Sequence, residues 1–472
     1  MKKFVSFAIS TLTILYLTAF LAVPIHGLES GAVRIAIIDT GISTAAISAQ
    51  NLDVGRNYIL PNVSTEDTIG HGTAVAAIIA GSKSAGVTGI CPEAVLVPLA
   101  YYSKATEGTS VKGDLPMLAQ IIRDAVDVYG CRIINISSGA GIDTPTLRDA
   151  VAWAEQRGVL VVSSAGNDGD GTTYFPGAFP TVLCVGTANT AKDGPALFSN
   201  RHSSVDLLAP GIRLATANPK GEAVTVNGTS YSTAWVTAVA ASLLNVDPSL
   251  TPHQLRQLLC YTARDICSEG FDTLSGWGIV DPSAAMAKLQ TERGVTLPFS
   301  DVAQDAYYRY AVTWALNNGI TGGTTSTTFS PNMACTRAQT VTFLWRAAGC
   351  PEPRITKNPF TDVAETDYFY KAVLWAGERG ITSGTSDTTF SPDTSCNEAQ
   401  IITFLWRAQN RPGSAGRSEL AAGLGEHYYT DAVAWADTYG FFAAAKTDFV
   451  PIRETPRVNI VVYLYHSMGG GH

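Results

Sequence analysis

A chain of 472 residues, 46% hydrophobic and only 15% charged, is too long for one ordinary core and too apolar to remain disordered. Its net charge of −8, with no cluster of lysine or arginine, excludes the electrostatic footprint that a nucleic-acid backbone requires. The eight cysteines divide into five before residue 300 and three after it, and both odd counts prevent complete pairing within each half. Cys260 and Cys267 are close enough in sequence to pair, whereas Cys91, Cys131 and Cys184 lie in or beside apolar segments and read as small buried hydrophobes. No CxxC or histidine-rich cluster is present, so neither a metal site nor any other cofactor is expected.

The chain opens with "MKKFVSFAISTLTILYLTAFLAVPIHG" (1–27), two lysines followed by an uncharged apolar stretch from Phe4 to Val23. This is an export signal, either cleaved or retained as a membrane anchor. From 32 to 289, short apolar runs alternate with helical patterns. "RIAIID", "AVLVPLA", "RIINIS", "VLVVSSAGN" and "VLCVGT" read as buried strands; "LPMLAQIIRDAVDVYG" and "PTLRDAVAWAEQRG" read as intervening helices. Such alternation predicts a mostly parallel sheet covered on both faces, with the ligand site beyond the C-terminal strand ends. Asp39, Ser137 with Ser138, and Asn167 end these runs and are expected at that edge.

After a linker at 290–298 the pattern becomes a repeat. "FSDV" at Phe299 returns as "FTDV" at Phe360, "TTFSP" around Phe329 returns around Phe390, and "FLWRA" at Phe343 returns at Phe404, each 61 residues later. The copies span 299–350 and 360–410, and a degenerate third, after a second linker at 411–425, spans 426–468. Each holds two helical patterns around a glycine-rich turn. Trp314, Trp375 and Trp435 occupy matching helix positions and are expected in the core.

Three segments carry the chemistry. "AIIDTGIS" puts Asp39 at a strand end, "IGHGTAVAAIIAG" puts His71 at the start of a helix of small residues, and "NGTSYSTAWV" puts Ser230 at the start of another. Each has an ordinary reading, and Ser230 in particular has the position of a helix cap. Aspartic-protease chemistry needs a second Asp-Thr-Gly, which the chain lacks. An α/β-hydrolase needs Gly-x-Ser-x-Gly and a different residue order.

With the order Asp, His, Ser, the motifs "DTG", "GHGT", "SSAGN" and "GTS", together with "TPHQLRQLL" and "GWGIVD", resemble the subtilisin-like serine peptidases over roughly 33–288. The resemblance implies a three-layer α/β domain. It also implies Ser230 as nucleophile, His71 as general base and then acid, Asp39 as the group that orients His71, and Asn167 as oxyanion donor. By the same resemblance "NISSGA" supplies an edge strand at Ser137, Ser138 and Gly139 that pairs with an extended protein or peptide substrate, and Ala165 and Gly166 wall the pocket for the residue before the cut.

Departures from the family are Tyr231 and Ala234, where Met and Pro are usual. No prodomain is expected in the few residues between the signal and "RIAIID", and "GSKSAGVTG" places Lys83 where calcium-binding oxygens are wanted. The C-terminal copies resemble S-layer homology modules, which hold bacterial exoproteins to cell-wall polysaccharide. In that family an arginine opening the second helix is a favoured ligand contact; Arg337 fills it in the first copy, Glu398 replaces it in the second, and the third is rewritten, so only the first groove is expected intact. Cys335 and Cys396 sit at matching places and are expected to pack rather than pair. The expected protein is an exported endopeptidase displayed on the cell wall; the alternative is a wall-binding protein whose peptidase domain is a spent scaffold.

Overall fold

The computed structural model describes residues 32–104, 110–303, 306–355, 357–415 and 417–468. The export segment 1–27 lies outside them, and among the described residues no helix is long and apolar enough to cross a membrane.

The first half builds one eight-stranded sheet. Its strands are β1 (Arg34–Asp39), β2 (Arg56–Asn57), β3 (Val95–Ala100), β4 (Ile133–Ile136), β5 (Leu160–Ser164), β6 (Val182–Asn189), β7 (Gly194–Pro195) and β8 (Leu207–Pro210). They lie in the order β7-β6-β5-β4-β1-β3-β2, with β8 also pairing β6. Every pairing is parallel except β6 with β7. Because side chains alternate along a strand, Ile35 and Ile37 enter one core layer while Ala36 and Ile38 enter the other. That two-sided burial explains the unbroken apolar runs.

Helices α1 (His71–Ala80) and α4 (Thr229–Val246) cover the first face, and α2 (Leu115–Asp127) and α3 (Pro145–Gln156) the second. Asp114 caps α2 through the Met117 N–H and Thr144 caps α3 through the Leu147 N–H, each with proline in the first turn. Helix α4 is rich in alanine and buried on nearly all sides, which lets it cross close over the sheet. Helices α5 (Pro252–Tyr261) and α6 (Pro282–Gly294) complete the domain.

The second half is helical, with α7 (Arg309–Asn317), α8 (Arg337–Ala347), α9 (Tyr370–Glu378), α10 (Glu398–Ala408), α11 (Glu419–Leu424), α12 (Thr430–Thr438), α13 (Phe441–Ala444) and α14 (Arg457–Met468). The repeated motifs have local causes. Asp301 accepts from the Phe329 and Ser330 N–H groups, and Asp362 does the same for Phe390 and Ser391, so each F-[ST]-D pins its own T-F-S-P turn. Thr336 with Gln339, and Asn397 with Gln400, form capping boxes at the starts of α8 and α10. Bridges Thr336–Ser395, Asn397–Glu454 and Ala334–Pro456 then join the starts of α8, α10 and α14 into a closed ring. Trp375 and Trp435 are buried as expected; Trp314 is half-buried against Tyr465.

The repeats dock on the peptidase half away from the strand ends. Tyr310 donates its hydroxyl proton to Asp247, and the rings of His253 and His466 lie 4.2 Å apart beside the Arg256–Glu155 ion pair. All eight cysteines are free, Cys260 and Cys267 included; Cys335 and Cys396 are buried.

Candidate active site

Asp39 is the last residue of β1 and is buried. Its carboxylate meets His71 Nδ1 at 2.8 Å through Oδ1 and 2.9 Å through Oδ2. This contact requires α1 to approach the strand end closely, and Gly72 permits it: a Cβ there would lie 2.2 Å from the Gly41 carbonyl oxygen and 3.1 Å from the Asp39 Cβ. Gly70, at φ +112°, ends the preceding loop.

Helix α1 has no capping side chain at Gly70. Buried Asp67 takes that role from further upstream, accepting the Ile69 and Gly70 N–H groups at Oδ1 and the Thr73 N–H and hydroxyl at Oδ2. Sequence reasoning missed this residue, although a carboxylate four positions before a helix start is a recognisable signal. Burial pulls the His71 pKa down, but the charge and hydrogen bond of Asp39, with Asp67 behind, outweigh it and raise the value above the usual 6.5.

Ser230 is not a cap. Gly228 holds the N-cap position and Ser230 lies inside the first turn of α4, where backbone N–H groups have no intrahelical acceptor. Its hydroxyl donates to the Ser137 carbonyl at 3.3 Å, and the Ser137 hydroxyl donates to the Ser230 carbonyl at 3.1 Å. Asn135 and Thr237 hydrogen-bond two turns further along α4, so the helix is fixed to the end of β4 at two points. The Tyr231 ring stands 5.4 Å from that of His71 and covers it. Asn167 follows β5; its Oδ1 accepts from the Thr229 N–H at 2.9 Å and the Thr229 hydroxyl at 3.1 Å. The amide is therefore oriented, with Nδ2 left for the cleft.

That cleft, of about 320 Å³, is lined by Ser137, Ser138, Gly139, Gly166, Asn167 and Ser230, joined by Ser164, Asp168 and Tyr174. Two expectations need correction. Ala165 does not line it: one step along from Ser164, its side chain points to the opposite side and is buried with Cys184 and Ala188. Ser137–Gly139 are not an edge strand either, since β4 ends at Ile136 inside the sheet; beyond it the chain joins no ladder until Ala140 pairs with Phe175. Tyr174 and Asp168 were missed, for nothing local marks them as cleft residues. The segment checked for calcium ligands forms a hairpin, Gly81–Ser82 against Val87–Thr88, with Lys83 exposed. Among the described residues no group of three or more His, Cys, Asp or Glu side chains is placed to hold a metal ion.

In the repeats Arg337 is only 2% exposed, donating through Nε to the Phe390 carbonyl at 2.8 Å and stacking on Phe390 and Phe404. The expectation of a single intact groove is corrected by Arg457, which opens α14 as Arg337 opens α8. It bonds Thr321 at 2.6 Å and stacks on Phe329 and Phe343, and it borders an open groove of about 450 Å³ with Arg346, Tyr368, Gly323 and Gln339. Glu398, at the third such position, is consumed internally: its carboxylate accepts from Arg453 at 2.7 Å, the Val450 N–H at 2.9 Å and the Tyr463 hydroxyl at 2.8 Å.

Residues 30–278, more than half of the chain, match the model of the subtilase family, and 298–341 and 359–402 match the S-layer homology domain. Subtilisin Savinase of Lederbergia lenta is 35% identical over 261 residues, covering 55% of this chain and 93% of that protein. M-protease of Shouchella clausii is also 35% identical, with 66% of its length covered, and the cell wall-associated protease of Bacillus subtilis is 32% identical over 243 residues, 50% of this chain and 26% of that protein. Among solved structures, that of Sphericase aligns at 29% identity with a TM-score of 0.48, covering 53% of this chain and 91% of that one. With a subtilase domain first and S-layer homology domains after it, the chain belongs to the subtilase family of serine peptidases.

Proposed function

We propose that the chain is an exported endopeptidase that cuts peptide bonds through an acyl-enzyme on Ser230 and is held at the bacterial cell surface by its repeats. The contact between His71 Nδ1 and Asp39 carries the reading. It fixes the imidazole so that Nε2, the other ring nitrogen, is the one that serves as base. Ser230 Oγ leaves the Ser137 carbonyl, gives its proton to His71 Nε2 and bonds to the scissile carbonyl carbon. The oxyanion so formed accepts from Asn167 Nδ2 and the Ser230 N–H, at the positive end of α4. His71 returns the proton to the departing amine, and water repeats the sequence in reverse to free the acid. The backbone of Ser137–Gly139, which has no strand partner, receives the extended substrate.

Attachment is assigned to the Arg457 groove and its counterpart at Arg337. Two arginines, Arg346 and Arg457, beside an exposed Tyr368 suit an anionic saccharide, with the cation set against the acid and the ring against a sugar face.

Hydrolysis of unfolded protein by the full chain, absent in Ser230→Ala, tests the first part. Co-sedimentation with purified cell walls, lost on removing residues after Leu297, tests the second. Uncut substrate, or truncated protein that still sediments, would contradict the respective part.

A further inference from the structure

The cleft beside Ser230 has a polar wall: of its nine lining residues none is aliphatic beyond glycine, one is aromatic and one is charged. The aromatic residue is Tyr174, which packs closely on two glycines. A Cβ on Gly166 would come within 2.6 Å of the Tyr174 Cδ2, and one on Gly139 within 2.9 Å of the Tyr174 Cβ. The charged residue is Asp168, and it is held in place. Buried Asn200 accepts the Asp168 N–H at 2.7 Å and the Gly169 N–H at 3.0 Å, and returns its own Nδ2 to the Asp168 carboxylate at 3.1 Å. Hydrogen bonding to the Asp168 carboxylate, and its charge, raise the pKa of the Tyr174 phenol, so the ring stays neutral beside it.

No cation within the described residues forms an ion pair with Asp168. Lys112 donates instead to the Gly139 carbonyl at 3.0 Å, and Arg201 to the Gly169 carbonyl. Ser138 adds a hydroxyl that is shielded from water and has no partner. An apolar side chain entering here would find one ring to pack on and would strip water from a carboxylate with nothing in exchange. A side chain with a long apolar stem and a cationic end meets both needs: the stem lies along Tyr174 and the head pairs with Asp168.

We propose that Asp168 and Tyr174 make this cleft selective for lysine or arginine as the residue preceding the cleaved bond. The inference rests on the peptidase reading above and names its substrate class. The test uses the full chain and peptidyl phosphonate esters that differ only at that residue: Arg, Lys, Leu, Phe or Glu. Each forms an Oγ–P bond with loss of its phenol, and the rates are read by mass. The Arg and Lys probes are expected to react about tenfold faster than Leu or Phe, with Glu slowest.

Asp168→Asn is expected to bring the Arg-to-Leu rate ratio close to one, and Asp168→Lys to place Glu ahead of Arg. Because a ratio within one variant is compared, a general loss of activity cancels. Leu or Phe reacting as fast as Arg, or an Arg preference that survives Asp168→Asn, overturns the proposal while the peptidase reading stands. No reaction with any probe, nor with an unselective fluorophosphonate, overturns both.

Discussion

His71 and Asp39 are joined through both carboxylate oxygens, at 2.8 and 2.9 Å, with the carboxylate buried at the end of a central strand. The pair holds the histidine more basic than usual. Catalysis needs neutral His71, so kcat/KM should rise with pH through a value above the usual 6.5, and Asp39→Asn should move that limb to lower pH while cutting kcat by about 10⁴-fold. A pH–rate profile checks both. For stability the sign is opposite: a raised folded pKa favours the folded, protonated form, and this contribution is complete below the unfolded pKa and lost as pH rises through the folded one.

Asn167 is oriented by Thr229, and its loss should be felt only once the oxyanion forms. Asn167→Ala should lower kcat by about 10²–10³-fold, leave KM nearly unchanged and leave thermal stability within about 1 kcal/mol. Steady-state kinetics and calorimetry on the variant measure these separately.

Asp67 carries four hydrogen bonds at the start of α1 without touching substrate. Asp67→Ala leaves buried donors unpaired and should cost about 2–3 kcal/mol, with a fall in activity as His71 loses its support. Thr73→Val removes one of the four, together with the bond its hydroxyl accepts from the Ser43 N–H, and should cost less than losing all four. Chemical denaturation of both variants gives the ranking.

The neighbouring rings of His253 and His466 join the two halves. Burial, with Arg256 nearby and each ring facing the other, holds His253 well below the usual value, and burial and Arg256 hold His466 down at about 4 despite the Tyr439 carbonyl it bonds. Glu155 beside this cluster is already paired with Arg256, and Asp206 also faces that arginine. Both histidines stay neutral when folded, so the unfolded chain takes up protons first and stability should fall as pH drops from about 6.5 towards 4. His466→Phe should flatten that part of the stability–pH curve, as read by thermal melts across the range.

Much of this was legible before any coordinates. Period-two burial on both faces made the strands readable as apolar runs, and the strand-end rule gathered Asp39, Ser137 and Asn167 at one edge. What escaped depends on which way a side chain turns or on what lies far off in the chain. Ala165 and Ser164 differ by one step and therefore by the face they serve. Ser230 looked like a cap because a cap and a first-turn residue have nearly the same sequence setting; the positive φ of Gly228 decides between them. Arg457 was hidden because its neighbours changed while its position did not, and aligning "TPRV" under "CTRA" would have found it. Tyr174 and Asp168 become cleft residues only when their loop folds back over Gly139 and Gly166.

The central claim, that Ser230 is the nucleophile, is tested most directly by treating the full chain with a fluorophosphonate and mapping the adduct by mass spectrometry. One adduct, on Ser230, absent in Ser230→Ala and strongly slowed in His71→Ala, is the expected result. Folded protein that takes up no label, or that carries it on another residue, would contradict the account.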